Sequence, residues 1–127
     1  MDAQQELFTA IKLALEAKGY AVYDGRLPPE KTPYPFIYLG SFQQIDTELK
    51  NAITGTVHPT IHLWHNNWQE RGTVSAMLLD IKTVLRAITH TSNFAWLNRN
   101  INSQILEDNT TKTPLLHGIV EAACLFS

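Results

Sequence analysis

Val74-Ser75-Ala76-Met77-Leu78-Leu79-Asp80-Ile81-Lys82-Thr83-Val84-Leu85-Arg86-Ala87-Ile88 is the stretch on which the fold turns. Val74, Met77, Leu78, Ile81, Val84, Leu85 and Ile88 recur at steps of three and four, a continuous apolar stripe on one face of a helix. Ser75, Lys82, Thr83 and Arg86 lie away from that stripe. A helix with one long apolar face must lie on another layer, and the segments on either side of it read as strands.

Before it, Phe36 to Gln44 reads as a strand with Ile37 and Leu39 alternating against Phe36, Tyr38 and Phe42. Thr54 to His65 is a second, with Val57, Ile61 and Leu63 on one face. Pro59 cannot donate to a ladder, which predicts an edge position or a bulge near that strand's start. After the helix, His90-Thr91-Ser92-Asn93 is a turn, and two more strands follow at about 98–107 and 115–126, joined through residues 108–114.

The N-terminal segment is a second helix. Asp2 is its N-cap, and Gln5 is placed to reach back in a capping box. Leu7, Ala10, Ile11, Ala14 and Leu15 form its stripe, and Phe8 and Leu13 widen it, so the helix should be well covered. Gly19 provides a left-handed exit. Ala21-Val22-Tyr23 is a short strand ended by Asp24-Gly25, and Pro28, Pro29, Pro33 and Pro35 exclude regular structure from 26–35. The order α-β-β-β-α-β-β predicts one α+β domain over 1–127: a mainly antiparallel or mixed sheet of about five strands, with both helices on one face.

Composition narrows the function. At 127 residues, 44% hydrophobic and 17% charged, the chain is globular, not disordered. Ten basic and twelve acidic residues are scattered to a net charge of −2, so no basic tail predicts specific nucleic-acid binding. Met1-Asp2-Ala3-Gln4-Gln5-Glu6 lacks the basic start of a signal peptide, and no apolar run approaches about 18 residues, so no membrane association is expected. The single Cys124, inside Ala122-Ala123-Cys124-Leu125-Phe126, is expected as buried filler in a chain that folds in a reducing cytoplasm.

A catalytic or metal site does not assemble from the sequence. His58 and His62 share a strand face but stand roughly 13 Å apart at ~3.3 Å per residue, and His65 faces the other way. One zinc ion with ligands about 2 Å away cannot take both, so no metal is expected. The six glycines at 19, 25, 40, 55, 72 and 118 form no phosphate loop, and no Gly-x-Ser-x-Gly elbow is present. Asp46 with Glu48, and Glu107 with Asp108, read as solvated turn carboxylates. No catalytic residues and no cofactor are predicted.

The candidates for partner contact are different. Gln43 to Ile53 reads as a polar loop, longer than a tight hairpin requires, carrying Asp46, Glu48 and Lys50 with the isolated apolar Ile45 and Leu49. It is the expected docking loop. Trp64, Trp68, Phe94 and Trp96 flank the long helix, either closing the core or anchoring a neighbour, Trp68 being the candidate anchor. Lys82 and Arg86 suit the helix dipole and also fit an acidic partner.

Several stretches together resemble the tail-completion family of long-tailed bacteriophages, also described as head–tail joining or tail-terminator proteins. They are Val22-Tyr23-Asp24 before the proline-rich loop, Pro33-Tyr34-Pro35-Phe36-Ile37-Tyr38-Leu39-Gly40, Ile61-His62-Leu63-Trp64-His65 entering the long helix, and His117-Gly118 in the last strand. The resemblance runs from about residue 7 to 125. It implies a small α+β fold without enzymatic activity, a ring of copies, often six, and docking to the tail tube and to the head's connector. It places the protein in the virion's neck, after assembly in the host cytoplasm. Other neck components have similar size and composition, so another neck, minor capsid or tail component is an alternative, and so is a general protein-interaction module, because a fold does not fix a function.

Overall fold

The computed structural model describes residues 1–26, 28, 29, 31–49, 52–110 and 112–127. Two helices, α1 (Ala3–Ala17) and α2 (Arg71–Ala87), accompany five strands: β1 (Val22–Asp24), β2 (Phe36–Leu49), β3 (Ala52–His65), β4 (Trp96–Asp108) and β5 (Leu115–Phe126). The strands form one sheet in the order β1-β2-β3-β5-β4. β1 runs parallel to β2, and every other neighbouring pair is antiparallel, so the sheet is mixed.

Both helices lie on the same face. Leu7, Ile11 and Leu15 of α1 and Val74, Leu78, Ile81 and Leu85 of α2 meet Ile37, Leu39, Val57, Ile61, Leu63, Leu116, Val120 and Cys124 of the sheet. The α2 stripe read from the sequence is the buried face, with Ile88 packed at its margin. Fully burying a Leu- or Ile-sized side chain stabilises by about 1.5–3 kcal/mol, so this shared layer holds the fold together. Cys124 is in it, and burial pushes its thiol up to about 12. Gly118 of β5 lets α2 approach: a Cβ there would stand 2.9 Å from Leu78 Cδ2 and 3.3 Å from Leu63 Cβ.

Several local readings change. The backbone N–H of Gln5 donates to Asp2 Oδ1 at 3.1 Å, as an N-cap requires, but the Gln5 side chain donates forward to Thr9 and does not reach back. Leu13 is exposed, because α1 sits at the β1–β2 side of the sheet and covers it with one narrow stripe. Gly19 takes the left-handed φ of +92° expected of it. Pro59 sits in the central β3 beside a bulge between Leu39 and Phe42, the second of the two places expected for it. That bulge turns Phe42 over to join Ile37 and Leu39 on the helix-covered face, opposite to the side simple alternation gave it.

The largest correction concerns Gln43–Ile53. It is not a loop: β2 continues to Leu49 and β3 starts at Ala52, with Gln43↔His58 through Leu49↔Ala52 in continuous antiparallel register. The polar residues hide a period of two. Ile45, Thr47 and Leu49 share one face of β2 with Thr54 and Thr56 of β3, while Asp46 and Glu48 share the other. Cross-strand pairing between β-branched residues holds the ribbon where there is no core to bury it.

Candidate interaction surface

The β2–β3 hairpin outgrows the body it belongs to. Gly55, opposite Phe126, is the β3 residue at which pairing with β5 stops. Thr47–Leu49 and Ala52–Thr54 therefore pair with each other and project roughly 10 Å beyond the sheet at ~3.4 Å per residue. On its outer edge β2 is covered by β1 at Ile37–Leu39 and by Gln4, whose side-chain amide donates to the Phe42 carbonyl and whose backbone N–H donates to Gln44 Oε1 at 3.0 Å. From Ile45 to Leu49 every residue of this arm is exposed. Asp46 Oδ1 accepts from Gln44 Nε2 at 2.7 Å, and Glu48 is exposed on the same side. Lys50, also expected to contact a partner, lies outside the described residues.

The remaining candidates are elsewhere. Trp68 is exposed in the turn between β3 and α2, at the end of the sheet opposite to the arm. Lys82 is half-buried, not turned away as its place off the stripe implied, because α2 lies over β4 and Lys82 Nζ reaches Ser103 Oγ at 3.1 Å. Arg86, one turn on, is exposed. The structure thus seats Lys82 at β4 with Arg86 exposed one turn further along α2, gathers Ile45, Asp46, Glu48 and Leu49 on the arm, and leaves Trp68 apart.

The four aromatics flanking α2 divide. Trp96 is buried against Phe94 and Phe126, and its Nε1 donates to Thr91 Oγ1 at 2.9 Å. Thr91 Oγ1 in turn donates to Glu6 Oε1 at 2.6 Å, and Asn93 donates to both Glu6 oxygens, tying α1 to the turn before β4. Those hydrogen bonds hold the Glu6 carboxyl below its ordinary value. Past the C-terminal end of α1, the Tyr20 hydroxyl donates to Asp80 in the middle of α2, and desolvation with that bond pushes the phenol up to about 12.

Trp64 faces away from the helices, stacked on His117 at 3.8 Å between ring centroids and 8° between planes. His117 stacks in turn on His62, and Tyr38 leans on His62 from β2. This ladder of rings crosses β2, β3 and β5 on the helix-free face. Desolvation holds both imidazoles below the ordinary histidine value; Glu121 pulls His62 back up, while for His117 the neighbouring His62 lowers it further and Asp108 opposes. Sequence reading missed the pair because its members are 55 residues apart. The signal was an outward histidine in each of two strands that turn out to be adjacent, His62 opposite Ile119 and His117 opposite Trp64, so the two rings meet on the diagonal. His65, by contrast, is buried on the other face with Nε2 3.4 Å from Glu70. Among the described residues no group of three His, Cys, Asp or Glu side chains is close enough to hold a metal ion.

The concavities are shallow. One of about 660 Å³ lies between the α1–β1 turn, Pro33, Pro35 and the first turns of α2. A second, of about 390 Å³, lies under the arm between Thr47, Thr54 and Thr56 and the apolar Leu97 and Leu125. Neither encloses a constellation of nucleophile, base and oxyanion donor. No helix among the described residues is long and apolar enough to cross a membrane.

No protein-family model matches the chain, and no curated protein is significantly similar to it. Solved structures are. A chain from the virion of a native gene transfer agent particle superposes with a TM-score of 0.66 at 17% identity, over 98% of this chain and 95% of that one. A second solved structure superposes with a TM-score of 0.60 at 13% identity, over 98% of this chain and 96% of that one. The fold is therefore shared, nearly end to end, with a protein of a virus-like particle.

Proposed function

We propose that this protein is a structural, non-enzymatic component of a phage-like virion that joins tail to head, as a subunit of a ring capping the tail tube. The observation that carries the reading is the near-complete superposition on a chain of a gene transfer agent virion, a phage-like particle. The residues that resemble the tail-completion family support the finer role, because they fall where the fold is most constrained. Gly40 stands at the β2 bulge, where a Cβ would meet His62 Nε2 at 2.8 Å. His62, Trp64 and His117 form the ring ladder, and Gly118 seats α2. The partners are then further copies of the chain, the tail-tube protein and the head connector. The site of action is the virion neck, reached after assembly in the host cytoplasm. A near-neutral body also suits a conduit through which DNA must pass without sticking.

The test is deletion of the gene from the particle that encodes it, with electron microscopy of the lysate. Full heads and finished but detached tails, rescued by the gene in trans, are the expected result. Joined, infectious particles would overturn the reading, and absence of tails altogether would assign the protein to another neck or tail step.

A further inference from the structure

Two stretches of strand edge, on opposite sides of the molecule, have no neighbouring strand among the described residues. β4 is the last strand at one edge, and the arm portion of β2, beyond the reach of Gln4, is free at the other. Exposed strand edges pair with other chains unless blunted. β4 is partly blunted, by a bulge between Arg99 and Asn102 with Asn100 at a left-handed φ of 53°. The arm is straight in register from Phe42 to Leu49. β3 and β5 separate the two edges by roughly 14 Å at ~4.8 Å per strand, so they cannot pair within one molecule.

The two edges also carry opposite charge on the same side of the sheet. Asp46 and Glu48 point to the helix side of the arm, in phase with Phe42 and Gln44. Lys82 and Arg86 lie one turn apart on α2, which packs on the helix side of β4, and Lys82 touches Ser103 there. The spacings agree: alternate strand residues are about 6.8 Å apart, and residues four apart on a helix rise about 6 Å. On the helix-free side Ile45 and Leu49 of the arm are 51% and 56% exposed, and Leu97 of β4 is 59% exposed. Leu97 pairs with Leu125, Leu125 with Thr56 and Thr56 with Ile45, which puts all these apolar side chains on one face.

We infer that the arm of one copy lies along β4 of a second copy of this chain, continuing the sheet, with Asp46 and Glu48 against Lys82 and Arg86 and with Ile45 and Leu49 beside Leu97. Because β2 and β4 run in opposite directions, antiparallel addition of the arm to β4 keeps helix side with helix side, so the charged rows meet on one face and the leucines and isoleucine meet on the other. The occupant is a second copy because each chain carries both complementary halves on opposite edges. Such head-to-tail contacts close into rings when the rotation per subunit allows it. The inference rests on the proposal that copies of the chain associate, and it names how they do so.

The experiment is carbodiimide coupling of a mixture of unlabelled and nitrogen-15-labelled full-length protein, at high protein concentration and low salt, read by mass spectrometry. Mixed-isotope products should join Lys82 to Asp46 or Glu48. Asp46→Lys with Glu48→Lys should remove that product, and so should Lys82→Glu with Arg86→Glu, since either variant alone lacks one of the two coupling groups and also sets like charges against each other, so the mixture of the two is the deciding arm. An equal mixture of the two variants, which restores opposite charge at each contact, should restore coupling between the same positions. Circular dichroism melting checks that both variants fold. Arm-to-arm or β4-to-β4 products, absence of inter-chain products, or failure of the mixture to recover would overturn the inference. Native mass spectrometry of the recovered neck separates the two readings. A ring that persists in either variant alone leaves the joint function standing with copies joined elsewhere, whereas coupling as described in a protein whose deletion leaves particles joined keeps this contact and removes that function.

Discussion

His62 Nδ1 and His117 Nε2 lie 2.8 Å apart on neighbouring strands, so one ring must donate the proton that the other accepts. Two protonated imidazoles at that separation have no acceptor between them and repel. Burial acts in the same direction, holding both groups below the ordinary value in the folded protein, with Glu121 and Asp108 partly opposing. The unfolded chain, with histidines near about 6.5, then binds more protons than the folded one as pH falls through that value. The associated stability is fully present above about pH 6.5 and is lost as pH drops below it. Denaturant midpoints should therefore fall between neutral and mildly acidic pH. His117→Asn should flatten that dependence, and an unchanged slope in this variant would place the acid sensitivity elsewhere.

Ile81 is fully buried under α2, whereas Thr83 is exposed and spends its hydroxyl on the Leu79 carbonyl at 2.9 Å. Ile81→Ala should cost about 2–5 kcal/mol, as truncation of a packed aliphatic residue does. Thr83→Ala should stay within roughly 0.5 kcal/mol. Equal thermal midpoints for the two would contradict the assigned face of the helix.

The projecting tip contributes little to the core, so its removal separates folding from assembly. Deleting residues 47–54 and closing the hairpin with Asn-Gly, the pair suited to a two-residue turn, should leave the melting temperature within a few degrees of the parent. The same variant should fail to rescue the gene deletion, leaving heads and tails apart in micrographs. Full rescue would show that the arm serves neither ring nor tube.

Assembly is expected to be conditional. A subunit that must meet a finished tube, without consuming itself in free rings, is served by weak contacts, and one short strand edge with two surface ion pairs is weak in isolation. Sedimentation at micromolar concentration should show a monomer or a weak, concentration-dependent oligomer. A stable ring in the free protein would remove the conditional step.

The order of elements, both helices and the core stripe were legible because hydrophobic periodicity reports burial, and α2 and β5 bury one face completely. The arm was not, because its strands bury nothing. With Asp46, Glu48 and Lys50 among them, residues 43–51 have the composition of a loop, and their alternation is visible once Ile45, Thr47 and Leu49 are set against Thr54 and Thr56. The parallel pairing of β1 was likewise hidden, since three residues of strand before a proline-rich connection carry no directional signal. Of the contact candidates, exposure was readable at Ile45, Leu49, Trp68 and Arg86, whereas the seat of Lys82 on Ser103 depends on how α2 crosses β4.

The stop in β3–β5 pairing at Gly55 divides one continuous strand into two regimes of motion. Val57, Ile61 and Leu63 belong to the cooperative unit that opens when the whole protein unfolds, whereas Ala52–Thr54 are held by a single neighbouring strand. A two-stranded ribbon is marginal alone, so backbone amides there should exchange with deuterium through local fraying, orders of magnitude faster than those a few residues on. Residues 47–49 and 52–54 are then supple in the free protein and stiffen when a third strand is added beside them. Slowed exchange confined to residues 45–49 and 52–56 on incorporation into the particle would be the kinetic trace of that docking.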